Sequence, residues 1–382
     1  MSRPPRAGLS RVLLMLPAGL ALLAGLDAAL LLLDLGAPVH TERLPEVHGF
    51  LLVLGFVGTL IALERAVALR RRAGFLAPGL LGVGGVLLVS PAPLVAGRVT
   101  LVLGSAALVA VYLPLWRRQR DDAVLVQLLG AVLATGAAIL WVGGTDVPAL
   151  LPWLAGFVVL TIAGERLELA RLAMGPGAGT RLVVLSGALA AGTAAALLWP
   201  EVGTPLLGVA LLALTVWLAV HDVARRTIRS TGATRLMAAC MLSGYAWLVV
   251  TGVVWLLGGA STGSAGAGGY DAAVHGVFLG FTISMIMAHA PTILPAVLRK
   301  PLPYHPALWV PVILLHLGLV IRLWIGDGLG SSLAWQAGGV LNVAALLLFV
   351  VVAAWRVLTA GETVARSTPM ASNPMTLEIS RS

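Results

Sequence analysis

Charged residues and cysteines are both scarce in this chain of 382 residues. Asp, Glu, Lys and Arg together make up only 11% of the sequence, whereas 59% is hydrophobic and the mean hydropathy is +0.98. Because a water-soluble domain carries about a quarter of its residues as charges, most of this chain cannot face water. Lipid is the remaining solvent, and it requires spans of about 20 apolar residues.

The single cysteine, Cys240, excludes an internal disulfide and any zinc or iron–sulfur site that needs several cysteines. The net charge of +9 is the other unusual feature, and nucleic-acid binding would be one explanation of it. However, the basic residues lie in short clusters between apolar runs, which is typical of membrane orientation. We therefore expect a lipid bilayer, and no nucleic acid, as the partner of this chain.

The apolar runs predict an all-α, polytopic membrane protein with about twelve transmembrane helices. The first run follows Arg3, Arg6 and Arg11, as a secretory signal would, but it exceeds a signal core of about 7–15 residues. A membrane barrel would instead show strictly alternating segments of about ten residues. The predicted spans are 9–34, 47–69, 75–95, 98–116, 122–143, 148–171, 182–199, 204–225, 234–258, 271–298, 306–325 and 333–356.

The basic residues predict the orientation of these spans. When alternate loops are assigned to opposite sides, all but three of the 25 basic residues fall on or near the side of the N-terminus. The three on the other side are Arg43, Arg98 and Arg322. Because basic residues are retained in the cytoplasm, both termini are expected there, in a multi-pass protein of the cytoplasmic (inner) membrane.

The domain organisation is expected to be simple. Residues 1–361 form a single twelve-helix transmembrane domain, and the polar segment 362–382 is expected to be a disordered cytoplasmic tail. The longest outer loop, residues 258–269 (GGASTGSAGAGG), has the composition of a flexible linker. Any chemistry must therefore lie within the membrane or at its two surfaces.

Ionisable side chains inside apolar spans are costly, so each is a candidate functional group. Spans 2 and 6 end in similar segments, ALERAVAL and AGERLELA. Their Glu–Arg pairs are either helix-end charges that reach the interface, or a site of proton uptake or of helix clamping. Because adjacent residues do not face each other on a helix, each is expected to need a partner elsewhere. The candidates other than histidine are Asp27, Glu64, Arg65, Glu165, Arg166 and Arg322.

Four histidines also lie within the predicted spans. His48 in span 2 and His275 in span 10 fall near the outer ends of two spans that run in the same direction, so they share a depth. Two neutral imidazoles at one depth are what a bis-histidine haem or a metal ion needs. His289 lies about 21 Å further along span 10 than His275 and cannot share its metal. A second metal site would use His289 and His316 if their helix faces meet.

Two longer segments carry a family resemblance. VHGFLLVLGFVGTLIALERA and HGVFLGFTISMIMAHAPTILPAV resemble the histidine-bearing helices of the NnrS-like membrane proteins. The topology, with histidines at the outer ends of spans 2 and 10, is similar to that of subunit I of the haem–copper oxidases. The resemblance implies a haem b with His48 and His275 as ligands, copper as a second cofactor, and a role in nitric oxide or redox-stress metabolism.

The chain departs from the oxidase pattern at its most reactive part. Ala273 and Val274 precede His275, so the His-x-His pattern that would also hold a second haem is missing. Spans 6 and 7 contain no histidine, so the three copper ligands of the oxidases are missing too. The resemblance therefore does not extend to an oxygen-reducing centre, and it leaves open whether the chain is an enzyme.

Two other classes of function stay open. A proton-coupled transporter or channel would line its path with Asp27, His289, His316 and the Glu–Arg pairs, and helices broken at Pro291 and Pro295 would fit it. A structural subunit without a cofactor would use the polar residues only to hold helices together. Either protein could form homo-oligomers or assemble with other membrane subunits.

Overall fold

The computed structural model describes residues 6–257, 266–298 and 300–366. Within these ranges all regular structure is helical, and twelve helices are long and apolar enough to cross a membrane. The prediction of an all-α chain with twelve spans is thereby confirmed. In chain order the helices are α1 (Arg6–Leu32), α2 (Arg43–Leu69), α3 (Arg72–Val89), α4 (Leu94–Gln119), α5 (Asp122–Val142), α6 (Val147–Met174), α7 (Ala178–Leu198), α8 (Pro200–His221), α9 (Gly232–Leu256), α10 (266–298), α11 (Pro306–Asp327) and α12 (Ser332–Arg366).

Short connections make successive helices antiparallel, so their ends alternate between two ends of the bundle. Arg98 at the start of α4 bonds Glu46 near the start of α2 and the Trp141 carbonyl at the end of α5. Arg171 near the end of α6 pairs with Asp121, which precedes α5. We call the end at which α2, α4 and α6 finish the basic end, and the other one the opposite end.

Three helices form the interior of the bundle. In α2, α6 and α10, 72%, 78% and 61% of the most apolar window is buried, whereas the value for α4 and α7 is 33%. Helix α10 packs against α1, α2, α6, α9 and α11. Because these central helices carry most of the polar candidates, those side chains face protein rather than lipid.

Helices α2, α10 and α11 each contain a π-helical segment, in which the backbone hydrogen bonds span one residue more than in an α-helix. The segments are Leu51–Gly58, Gly276–Ile283 and Ile321–Asp327. The first begins three residues after His48, and the second begins directly after His275. Such segments are rare in proteins, and those that occur often lie at functional sites. Their position beside both histidines therefore favours a site there.

The expectation that α10 breaks at Pro291 and Pro295 is wrong. The α-helix Ser284–Leu298 runs continuously through both prolines. Membrane helices tolerate proline because neighbouring helices and local adjustments satisfy the backbone groups that it frees. The irregularity of α10 lies instead in its π-helical segment.

The ends of the chain and one loop extend past the described ranges. Helix α12 continues to Arg366, inside the predicted tail 362–382, and residues 367–382 lie outside the described residues. Of the predicted linker 258–269, residues 258–265 also lie outside them, and α10 begins at Gly266.

The contact between α8 and α9 supplies a test of the packing. A Cβ atom at Gly208 would overlap the Leu256 amide nitrogen and lie 2.7 Å from the Gly252 carbonyl oxygen. Because backbone atoms cannot move aside, Gly208→Ala should cost about 1–3 kcal/mol by overpacking. We expect a lower thermal unfolding midpoint for the purified protein in detergent.

Gly187→Ala is the matched control, because a Cβ at this position of α7 meets nothing within 4 Å. Its midpoint should equal or exceed that of the wild type, since alanine favours the helix over glycine. Equal midpoints for the two variants would contradict the close approach of α8 to α9.

Candidate functional site

His275 is held by an acidic residue one helical turn earlier in α10. Its Nδ1 atom lies 2.9 Å from Asp271 Oδ1 and 3.1 Å from the Asp271 carbonyl oxygen. Both atoms only accept hydrogen bonds, so Nδ1 carries the proton and Nε2 keeps a free lone pair. Arg322 of α11 donates two hydrogen bonds of 2.7 Å to the same carboxylate. Arg322, Asp271 and His275 therefore form one connected chain.

His48 is held in the same way by another group. Its Nδ1 lies 3.0 Å from the Gly25 carbonyl oxygen in α1, so this imidazole also carries its proton on Nδ1. His48, His275 and Arg322 lie within electrostatic range of one another. Among the described residues, neither histidine has a hydrogen-bond partner for Nε2. Two helices thus present two unprotonated imidazole nitrogens at the opposite end.

Two further carboxylates lie at this end of the bundle. Asp27 is 8% exposed, and its Oδ1 accepts a hydrogen bond of 3.3 Å from the Val39 amide, which ties the loop after α1 to the helix. Asp327 at the end of α11 lies beside Asp271 and Arg322. The second oxygens of Asp27 and Asp327 are buried and have no partner among the described residues.

The glycines that follow the two histidines serve helix packing. A Cβ at Gly55 would lie 3.2 Å from the Gly85 Cα atom in α3. A Cβ at Gly280 would overlap the Trp247 side chain of α9. The absence of a side chain at Gly55 and Gly280 therefore allows close contact between helices.

His316 in α11 uses both of its ring nitrogens. Trp247 donates a hydrogen bond of 3.0 Å from its indole nitrogen to Nδ1, so the proton of His316 is on Nε2. That nitrogen lies 2.9 Å from Ser243 Oγ and 3.4 Å from Ser284 Oγ. His316 therefore joins α9, α10 and α11 by hydrogen bonds.

His289, near the basic end of α10, also uses both ring nitrogens. Nδ1 donates to the Met285 carbonyl oxygen at 2.8 Å, and Nε2 accepts a hydrogen bond of 3.1 Å from Arg166. A metal ion would have to displace Arg166 here and Trp247 at His316. Among the described residues, no group of three or more His, Cys, Asp or Glu side chains could hold a metal. The second metal site, at His289 and His316, stays a prediction that this arrangement does not favour.

Arg166 makes its principal pair with Asp222, which lies just after α8. The two side chains are 5% and 0% exposed, and their two hydrogen bonds measure 2.8 and 3.0 Å. Tyr245 of α9 donates a third hydrogen bond to the carboxylate at 2.7 Å, and the Ala224 amide donates a fourth at 2.9 Å. Burial alone would raise the pKa of Asp222, but the hydrogen bonds and charge of Arg166 hold it below its usual value.

The two Glu–Arg motifs converge at the basic end. Arg65 bonds Glu64 at 2.5 Å, Gln127 of α5 at 3.1 Å and Glu168 of α6 at 3.2 Å, and it lies 3.9 Å from Glu165. The expectation that each charge needs a partner elsewhere is wrong for Glu64, because the long arginine side chain folds back to it. It is confirmed for Arg166.

Several polar residues at the two ends of the bundle were not singled out from the sequence. Asp271 had a usable signal, because it lies four residues before His275 and hence on the same helix face. Asp222 had one too, since it is a charge inside the predicted span 204–225. Tyr245 had none, because a tyrosine in an apolar helix is common and its partner is distant in sequence.

A comparison of the chain with known protein families finds a match. The model of a domain of unknown function, DUF8744, matches residues 11–358 and so reaches into all twelve helices. The chain belongs to the DUF8744 family. The search of curated proteins finds no match to the chain. The polar residues at both ends of the bundle lie within the residues that the DUF8744 model matches.

Removing the carboxylate that pairs with Arg166 should destabilise this DUF8744 protein strongly. Asp222→Asn leaves a buried guanidinium without its counter-charge, which costs about 3–5 kcal/mol. The measurement is the thermal unfolding midpoint in detergent at pH 7. Asp121→Asn is the control, because its partner Arg171 is 53% exposed and such pairs contribute at most about 1 kcal/mol. Equal losses in both variants would contradict the buried pair.

The pH dependence of the same pair has a definite sign. Because the folded-state pKa of Asp222 is lowered, its stabilisation is present above the pKa of the unfolded carboxyl, about 3.9, and is lost as pH falls through the folded value. The stability difference between the wild type and Asp222→Asn should therefore shrink below about pH 4. A difference that stays constant between pH 7 and pH 3 would show that Asp222 carries no such linkage.

Proposed function

We propose that this chain is a haem-binding membrane protein in which His48 and His275 are the two axial ligands of a haem b. The observation that supports this proposal is the protonation and hydrogen bonding of the two imidazole rings. Each is fixed through Nδ1 by an acceptor, and each leaves Nε2 unprotonated without a partner among the described residues. Metal-bound histidines are held in this way, because a second acceptor sets the tautomer and orients the ring.

The number of ligands favours haem over an isolated metal ion. Structural zinc takes four protein ligands and catalytic zinc takes three, whereas a haem iron needs only its axial positions from the protein. Two histidines on different helices, with no third ligand grouped with them in the described part of the chain, fit the second case. Copper would need further ligands, so it finds less support.

The residues around the two histidines have distinct roles in this proposal. The Gly25 carbonyl orients His48. Asp271 orients His275 and makes its ring a stronger electron donor, while Arg322 holds the Asp271 carboxylate in place. A bound haem would supply one-electron chemistry at this position. The role in nitric oxide or redox-stress metabolism that the resemblance implies would be compatible with such a group.

We infer the orientation from the distribution of basic residues. Because almost all of them lie at the basic end, that end and both termini would face the cytoplasm, in the inner membrane. The pair His48 and His275 would then lie near the outer face. Transport finds less support, because α10 continues through Pro291 and Pro295 instead of breaking there.

An ultraviolet–visible spectrum tests the proposal directly. Protein purified from haem-replete cells should show a Soret band that shifts on reduction, and His48→Ala or His275→Ala should remove most of it. His40→Ala is the control, because His40 is exposed in the loop after α1. A colourless wild-type protein, or a band that survives in both ligand variants, would overturn the proposal.

Asp271→Asn tests the support of His275 separately. Asn keeps an acceptor oxygen but lacks the negative charge, and disruption of the partner that orients a metal-bound histidine typically weakens binding by about 10- to 100-fold. We expect faster haem transfer to an excess of apomyoglobin, followed by absorbance. Asp34→Asn is the matched control, since Asp34 is an exposed carboxylate that follows α1 at the same end of the bundle. Identical transfer rates in the wild type and Asp271→Asn would remove Asp271 from this role.

A further inference from the structure

At the basic end, Glu165 is a buried carboxylate with incomplete compensation. Its side chain is 12% exposed, and its nearest cation is Arg65, at 3.9 Å. Arg65 already donates hydrogen bonds to Glu64, Gln127 and Glu168. In the described part of the chain, no residue donates a hydrogen bond to Glu165. A charged carboxylate in this position would be poorly stabilised, because burial without hydrogen bonds is costly.

The local charge balance has the same consequence. Three carboxylates, Glu64, Glu165 and Glu168, surround the single guanidinium of Arg65. Arg166 follows Glu165 directly but is already bound bidentately to Asp222. If all three carboxylates were ionised, the cluster would carry two uncompensated negative charges. Like charges at such distances disfavour simultaneous ionisation.

An independent observation comes from α4. Tyr112 is fully buried at 0% exposure, and its hydroxyl has no hydrogen-bond partner among the described residues. That hydroxyl lies within electrostatic range of Arg65 and of all three carboxylates, Glu165 among them. Because buried polar groups are nearly always hydrogen-bonded, an orphaned hydroxyl beside a carboxylate cluster points to a bound proton there, since a protonated carboxyl group can donate a hydrogen bond to a hydroxyl oxygen.

We propose that the basic end contains a proton-binding site in which Glu165 holds the proton. A proton neutralises the least compensated carboxylate and requires no further ligands. The charged and titratable groups that face the site come from α2, α4 and α6, and Arg166 connects it to α10 through His289. These groups are Glu64, Arg65, Tyr112, Arg166 and Glu168.

The exposure of the three carboxylates indicates how the proton reaches Glu165. Glu168 is 38% exposed, Glu64 is 23% exposed and Glu165 is 12% exposed. The outer two are more accessible from outside the bundle and can pass protons inward, whereas the inner one retains the proton near Arg65 and Arg166. The site therefore allows proton uptake at the basic end. It does not depend on whether a haem binds at the opposite end.

Infrared spectroscopy of the purified protein in detergent at pH 7 tests the proposal. The wild type minus Glu165→Gln difference spectrum should contain the C=O stretch of a protonated carboxylic acid, which shifts in D2O. Because Gln mimics the neutral side chain, Glu165→Gln should fold with a thermal midpoint at least equal to that of the wild type. Glu168→Gln is the matched control, and its difference spectrum should contain carboxylate bands instead.

Five outcomes would overturn the proposal. Four of them do not depend on the salt, namely a missing carboxylic acid band in the wild type, its survival in Glu165→Gln, its loss in Glu168→Gln, and a collapse of stability in Glu165→Gln. The spectra are recorded in sodium chloride and in choline chloride. A band that disappears only in sodium chloride would identify a sodium-binding cluster rather than a proton-binding one.

Discussion

The Arg166 guanidinium is buried inside an apolar bundle, and the requirement to pair it organises the basic end. Arginine keeps its charge at every accessible pH and has five donors. Asp222 takes two of its hydrogen bonds, and His289 takes another. Because these partners come from different helices and from the turn after α8, the pairing joins α6 to the end of α8 and to α10. Tyr245 adds α9 through the same carboxylate.

At the opposite end a second buried guanidinium also needs a partner, but its partner contacts a histidine as well. Arg322 is paired by Asp271, and the carboxylate then has capacity left to hold His275. At the basic end the Arg166 guanidinium donates to the lone pair of His289, whereas at the opposite end the Nε2 lone pair of His275 has no partner in the described part of the chain. This contrast explains why one histidine of α10 is a candidate ligand and the other is a structural partner. The two ends of a single helix therefore differ in what they can bind.

Several features could be predicted from the sequence, since they depend on local composition. The twelve apolar helices followed from apolar length, and the choice of His48 and His275 as candidate ligands followed from their depth on two parallel helices. The pairing of the Glu–Arg motifs could not be predicted, because it depends on which faces of α2 and α6 meet. The continuity of α10 through Pro291 and Pro295 was missed because tertiary packing satisfies the backbone groups that proline frees.

By itself the sequence determined that this chain is a multi-pass membrane protein with twelve helices long and apolar enough to cross a bilayer. Hydrophobicity acts residue by residue along each span, so no knowledge of neighbours is needed. Only the tertiary structure decided which imidazole nitrogens have hydrogen-bond partners and which buried carboxylate is poorly compensated by cations. Those properties arise between helices that are distant in sequence, as with Arg166 and His289, and hydrogen bonds depend on direction as well as on composition.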